Sequence, residues 1–291
     1  MKRFVKRVAA IHDLSGFGRA SLTAIIPILS SMGVQVCPLP TAIMSNHTGG
    51  FETYSFVDFT DHMEEYMEHW QRLQLEFDCI YSGFLGSPRQ IQIVEKFIDI
   101  FGNTENMIVV DPVMGDDGKL YQTMNEEMVK NMKALIAKAD IITPNFTEVS
   151  FLLDEPYQQQ ITDETMKDWL KRLAAKGPKI VVATSVPDNE TQKETNVIAY
   201  DSESNTYWKV NCTYIPASYP GTGDAYTSVM IGSLLNGDSL PIALDKGVQF
   251  ITQCIKASYG FDYPKREGIL LERELDVLKM PVVLGGYEML E

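Results

Sequence analysis

Met107-Ile108-Val109-Val110-Asp111-Pro112-Val113-Met114-Gly115-Asp116 is the stretch whose reading decides the fold. Its first four residues form a short apolar run that ends at Asp111-Pro112, which reads as a strand buried on both faces. Working outward, the same kind of run recurs at residues 7–12, 34–42, 78–82, 140–143 and 179–184. Helical patterns lie between these runs, near 19–32, 60–73, 88–101, 125–138, 148–153 and 163–176, and two more come after them at 223–235 and 240–259. Strands alternating with helices predict an α/β fold with a mostly parallel central sheet and helices on both faces. The runs 196–201 and 206–211 flank a short polar turn and predict a β-hairpin. Residues 51–59 (FETYSFVDF) alternate polar and apolar and predict a half-exposed strand or small β flap. No linker composition and no repeat of 20–50 residues appears, so residues 1–291 are expected to form a single domain.

Composition narrows the class. The chain has 291 residues, 45% hydrophobic and 22% charged, close to ordinary globular usage. Its formal net charge is −14, which would repel nucleic acid and anionic membranes alike. The densest basic cluster, Lys2, Arg3, Lys6 and Arg7, reads as a solvated end. No apolar run approaches the ~20 residues that span a bilayer, and the apolar stretch near the start is too short for a signal peptide. A cytoplasmic protein with no nucleic-acid or membrane partner is expected. The four cysteines are far apart in sequence and in apolar surroundings, so they read as reduced core residues.

In open parallel sheets, ligands bind beyond the carboxyl ends of the strands. Polar and acidic residues stand at the end of each predicted strand. The first strand leads into Asp13-Leu14-Ser15-Gly16-Phe17-Gly18, and the central one into Asp111 to Asp116. The next two lead into Thr143-Pro144-Asn145 with Glu148, and into Thr184-Ser185. Each alone also reads as turn chemistry or a helix cap. The strongest signal is Pro220-Gly221-Thr222-Gly223-Asp224-Ala225, which opens an apolar helix. Glycines permit a tight turn close to an anion, and a helix start stabilises negative charge. A carboxylate in that place fits a group accepting a proton from an attacking hydroxyl; Asp224 also fits a helix cap. No G-x-x-x-x-G-K-[ST] motif exists, and Ser21 stands where a dinucleotide fingerprint starting at Gly16 would need its third glycine.

Together these residues resemble the vitamin B6 (pyridoxal/pyridoxamine) kinases of the ribokinase-like superfamily, over about residues 7–260. Four motifs carry the resemblance: Gly221-Thr222-Gly223-Asp224, Asp111 to Asp116, Thr143-Pro144-Asn145 with Glu148, and Met44-Ser45-Asn46-His47-Thr48-Gly49. The sugar-kinase branch usually carries an Asp-Thr pair just before its glycines, where this chain has Ser218 and Tyr219.

The resemblance implies a three-layer ribokinase-like sandwich that transfers phosphate from ATP to a hydroxymethyl group. It assigns Asp224 as general base and the amides of Gly221, Thr222, Gly223 and Asp224 as the anion hole. Asp116 and Glu148 match acidic groups around Mg²⁺. Asp111, Thr143 and Thr184 match the surroundings of a monovalent cation (K⁺ or Na⁺) and the ATP phosphates. Asn145, Ser185 and Thr222 match nucleotide contacts, and Tyr121 a loop over the phosphates. Asp13, Ser15, His47, Thr48 and Phe84 match the pyridine pocket, and a homodimer is expected. Two positions depart from the B6 pattern. His12-Asp13 replaces a common serine, and Phe84 a common tyrosine. An aspartate in the first loop also resembles hydroxymethylpyrimidine kinases, which stay open as an alternative. So do a sugar or nucleoside kinase and a nucleotide-binding module without catalysis.

Overall fold

The computed structural model describes residues 4–187, 195–212, 215, 217–280 and 286–290. In chain order the elements begin with β1 (Arg7–Ser15), α1 (Leu22–Ser31), β2 (Gln35–Met44), β3 (Phe56–Asp58) and α2 (Thr60–Arg72). Next come β4 (Cys79–Ser82), α3 (Pro88–Phe101), β5 (Met107–Val110), β6 (Gly115–Asp116), β7 (Lys119–Leu120) and α4 (Glu126–Ile136). After these stand β8 (Ile141–Ile142), α5 (Phe146–Leu153), α6 (Asp163–Ala174), β9 (Ile180–Pro187), β10 (Thr195–Asp201) and β11 (Thr206–Cys212). The chain closes with α7 (Thr222–Leu235), α8 (Leu240–Tyr259), three short 3-10 turns and β12 (Tyr287–Leu290).

Ten strands form one sheet in the order β12-β11-β10-β9-β8-β5-β4-β1-β2-β3, and β6 and β7 form a separate ribbon. The pairs β1–β2, β5–β8 and β8–β9 are parallel. Antiparallel pairing is confined to the two ends of the sheet, at β2–β3 and from β9 through β12. This is the expected mostly parallel α/β sheet, and β10–β11 is the expected hairpin. Among the described residues, no helix is long and apolar enough to cross a membrane.

The chain divides into two compact units. The first comprises Met1–Ile80 and Ile215–Gly285, the second Tyr81–Tyr214 and Gly286–Glu291. In the first, Phe250 is buried among Ala24, Ile28, Val229, Cys254, Ile269 and Leu271, which joins α1, α7, α8 and the 3-10 turns into one core. In the second, Phe146 of α5 stacks on Trp169 of α6 with ring centroids 5.8 Å apart. Helix starts are closed by the local chemistry of their sequences. Ser87 accepts from the Gln90 amide ahead of Pro88, and Asn125 and Thr162 cap α4 and α6 in the same way.

Three differences from the sequence reading have local causes. Only residues 56–58 of the 51–59 stretch form a strand, paired antiparallel to Ala42–Met44, and all three are exposed. Alternation in an edge strand therefore does not sort residues into a buried and a solvent face. The β6–β7 ribbon is too short to carry a period, yet its turn, Asp117-Gly118, has φ of +49° and +74°, the Asp-Gly turn that tight hairpins favour. β12 pairs with β11 through four residues, an element that the apolar runs of the sequence do not predict.

Truncating Phe250 leaves a cavity that α1, α7 and α8 cannot close together. Phe250→Ala should lower stability by about 3–5 kcal/mol, read as a lower urea midpoint. An unchanged midpoint would remove Phe250 from the core that braces α7.

Candidate active site

In the first unit, the site starts where β1 and β2 fall out of register. His12 pairs with Pro40 but Leu14 pairs with Ile43, so β2 carries one extra residue opposite Asp13. Asp13 is only 3% exposed, and hydroxyl groups reach both of its oxygens. Ser15 Oγ donates to Oδ2 at 2.8 Å and Ser21 Oγ donates to Oδ1 at 2.5 Å. The backbone N–H of the same Ser21 donates to Asp224 Oδ2 at 2.8 Å. His12 Nδ1 lies 3.9 Å from Asp224 Oδ1, and the Asp224 side chain is 14% exposed.

The loop before α7 is shaped by one glycine. Gly221 has φ +80°, and a Cβ there would sit 2.0 Å from the Arg19 carbonyl oxygen and 2.9 Å from Ala20 Cα. Both the dihedral and the space exclude any other residue. Gly223 is exposed, and a Cβ on it would meet nothing within 4 Å. The first-turn amides of α7 thus face an open approach, as an anion-binding helix start requires. Thr222 Oγ1 donates to the Tyr219 carbonyl at 3.2 Å and closes the turn. Burial pushes the Asp224 carboxyl up to about 7; the Ser21 amide opposes this shift and the nearby Asp13 adds to it. Burial also raises Asp13, against its bonds from Ser21 and Ser15.

The expected pyridine-pocket residues divide. His47 is buried, its Nδ1 accepts from the Gly49 amide at 3.1 Å, and its ring meets Phe51 edge-on at 5.1 Å. Burial holds its imidazole below the usual range. A Cβ on Gly18 would lie 2.3 Å from that ring, so glycine there makes room for it. Thr48 is exposed. Phe84 belongs to the second unit, where it lies just beyond β4 and is partly buried.

In the second unit, Glu148 ties two strand ends together. Its Oε1 accepts from the Met114 amide at 2.9 Å and its Oε2 from the Asn145 amide at 2.8 Å. Asn145 Oδ1 accepts in return from the Glu148 amide, completing a capping box at the start of α5. Asn145 Nδ2 also donates to the Gly115 carbonyl at 2.8 Å, and the Gly118 amide donates to Thr147 Oγ1 at 2.9 Å. The β6–β7 ribbon is thereby fastened to α5. Asp116 lies on this ribbon, exposed, with Oδ1 accepting from the Asp117 amide. Burial lifts the Glu148 carboxyl to about 8, Asp116 adds to the shift, and the backbone amides oppose it.

Around these, the Asp111 amide donates to the Ser82 carbonyl and the Thr143 amide to the Val110 carbonyl; both residues are buried. The Thr184 amide donates to the Pro144 carbonyl, and Thr184 bridges to Asn145. Ser185 is exposed with φ +55°, and Tyr121 is exposed with its amide bonded to the Met114 carbonyl. Among the described residues, no group of three or more His, Cys, Asp or Glu could hold a metal ion. That is compatible with Mg²⁺, which takes one or two carboxylates and completes its shell with water and phosphate oxygens. Asp116 offers an exposed carboxylate. Glu148, whose oxygens each already accept an amide, fits contact through water.

Sequence reasoning names Asp224 and Glu148 but misses the groups that hold them. Ser21 figures there only as the residue missing from a glycine motif. Its place as the N-cap of α1, with φ +50°, is the available signal. The Met114 amide carries no side-chain signal at all.

The family profile described as Phosphomethylpyrimidine kinase matches residues 17–268. A candidate phosphomethylpyrimidine kinase from Bacteroides thetaiotaomicron VPI-5482, crystallised in an orthorhombic form with pyridoxal, is 56% identical. Its TM-score is 0.95, over 98% of this chain and 100% of that one. Pyridoxal kinase from Lactobacillus plantarum is 30% identical with a TM-score of 0.86, over 95% of this chain and 97% of that one. Pyridoxal kinase PdxY of Paraburkholderia xenovorans (strain LB400) is 28% identical over 262 residues, which is 87% of this chain and 88% of that protein. The chain therefore belongs to the phosphomethylpyrimidine kinase family of the ribokinase-like superfamily, in company with the pyridoxal kinases, and it is a kinase.

Proposed function

We propose that this kinase transfers the γ-phosphoryl group of ATP to the 5′-hydroxymethyl group of pyridoxal, pyridoxine and pyridoxamine. The observation that carries the reading is Asp224: a carboxylate raised to about 7, at the amide-rich start of α7, beside an open glycine. Its function is to receive the proton of the attacking hydroxyl. A carboxylate is a weak base beside an alcohol, so the proton moves late, as the oxygen–phosphorus bond forms. The raised pKa brings the base closer to its task, because efficiency is best when base and working pH are matched. The amides of Gly221 to Asp224 receive the charge of the transferring group. The pyridoxal carried by the Bacteroides relative supports a B6 vitamer as acceptor.

In the second unit, Asp116 directly and Glu148 through water are proposed to hold Mg²⁺. When bound, the ion neutralises charge on the phosphate oxygens. Asp111, Thr143 and Thr184 are proposed to surround a monovalent cation and the phosphates. Ser185 and Asn145, together with Thr222, are assigned to nucleotide contact, and Tyr121 to the phosphate side. Asn145 and Glu148 also serve the site by fastening the ribbon that presents Asp116. Residues 1–291 are proposed to work as one catalytic domain in the cytoplasm, as a homodimer. The exposed Tyr54, Phe56 and Val57 on the sheet edge are the surface a second copy would cover. A sedimentation mass near the 32.7 kDa of one chain would count against the dimer.

A second reading, phosphorylation of a hydroxymethylpyrimidine, is favoured by the name of the matching family. ATP turnover with a panel of the three vitamers and hydroxymethylpyrimidine separates the two. Turnover of the vitamers is expected; turnover of the pyrimidine alone would replace the vitamer reading.

Asp224→Asn should lower kcat by about 10²–10⁴ with ATP affinity within a few-fold, since only proton acceptance in the transition state is lost. More than a tenth of wild-type kcat would make Asp224 a cap. In the wild type, kcat/KM should fall as pH drops below about 7, where Asp224 takes up its proton. Stability should run the other way. A carboxyl raised by folding contributes stability below its unfolded pKa, and that contribution is lost as pH rises through about 7. Asp224→Asn should therefore gain up to a few kcal/mol over wild type at pH 9 and little at pH 4. Urea midpoints at both pH values read this directly, and equal differences at the two would contradict it.

A further inference from the structure

Asp13 is expected in the pyridine pocket, but the geometry gives it other work. We infer that Asp13 and Ser21 form a positioning relay for Asp224: the Asp13 carboxylate anchors the Ser21 hydroxyl, and the anchored Ser21 presents its backbone N–H to the Asp224 carboxylate. The inference rests on the reading of Asp224 as the base.

Three observations carry it. Both Asp13 oxygens accept hydroxyl bonds, from Ser15 at 2.8 Å and from Ser21 at 2.5 Å, inside a pocket where all three residues are buried. Ser21 has φ +50° and ψ −134°, a conformation that a side-chain-bearing residue keeps only when its surroundings hold it there. That conformation sends its N–H to Asp224 Oδ2 at 2.8 Å instead of along α1, and Ser21 caps α1 with no side-chain bond to the helix. A serine at a helix start usually turns its hydroxyl onto the helix's own amides. Here the hydroxyl bonds Asp13 and Asp224 takes the N–H, so both polar groups of Ser21 serve acids outside α1.

The relay also sets the electrostatics of the base. The groups facing Asp224 are His12 and Asp13 from β1 and the Ser21 amide from α1; His47 bears on Asp13 in turn. With Asp13 ionised, its negative charge favours the protonated form of Asp224, and the Ser21 amide favours the ionised form. Losing Asp13 and losing Ser21 therefore have opposite electrostatic signs at the same carboxylate.

The test is a set of pH profiles of kcat on the full chain, with folding checked by circular dichroism and ATP KM recorded throughout. Ser21→Ala removes the hydroxyl anchor and leaves a side chain that disfavours the positive φ. Its kcat should drop about 10–100-fold, the scale of a small misplacement of a reacting group, with the acid limb displaced to higher pH. Ser21→Gly adopts the positive φ without strain, so its N–H can stay in place, and kcat should remain within a few-fold of wild type. Asp13→Asn should move the acid limb down by about 0.5–1 pH unit, the ordinary size of such perturbations in folded proteins. If Ser21→Ala and Asp13→Asn both keep wild-type kcat and acid limb while Asp224→Asn is inactive, the relay is overturned and the base reading stands. If Asp224→Asn itself stays active, the base reading falls whatever the relay variants do. Equal losses in Ser21→Ala and Ser21→Gly, with no movement of the limb, would reduce Ser21 to packing.

Discussion

A carboxylate taken out of water must be given hydrogen-bond donors or take up a proton. Three acids in this protein live under that constraint, and each resolves it differently. Asp13 is supplied with two hydroxyls. Glu148 is supplied with two backbone amides from the ends of separate strands, so its needs become a tie between loops. Asp224 receives one amide and keeps an oxygen turned toward His12 and a partly open surface. The acid with the fewest protein donors is the one proposed to exchange a proton with substrate.

The same constraint explains why the loops at the strand ends are well formed although they carry little apolar surface. The Gly115–Leu120 ribbon is held by Asn145, Glu148 and Thr147, all at the start of α5. The loop before α7 is held by a glycine that lets two backbones touch. Order at both places comes from satisfied polar groups and close backbone approach, where burial of side chains cannot supply it.

Much of this is legible in the sequence because strand runs and helix periods are long-range patterns that tertiary context rarely overrides. The run Met107–Val110, the helix starts at Ser87 and Asn145, and the glycine turn before Asp224 all read directly. The features that escape are short or conformational. The β6–β7 ribbon has two-residue strands, β12 lies far from its partner in sequence, and β3 has no buried face to betray it. Ser21 escapes because its contribution is a backbone angle, which residue type alone does not announce. The role expected of Asp13 rests on its place after the first strand; the partners of its oxygens are a matter of three-dimensional arrangement.

The slip in register between β1 and β2 has a consequence for how this chain can vary. Between Pro40 and Ile43, β2 advances three residues while β1 advances two. Side chains in a strand alternate faces, so losing one residue there would flip everything downstream. Ile43 and Met44 would exchange sides, and the segment carrying His47 would leave the sheet one step early. Substitutions at Thr41 and Ala42 can be absorbed by packing, whereas a single-codon deletion cannot. The number of residues between Pro40 and Ile43 is therefore guarded more strictly than their identity, and length variation along this part of the chain is confined to the loop beyond Met44.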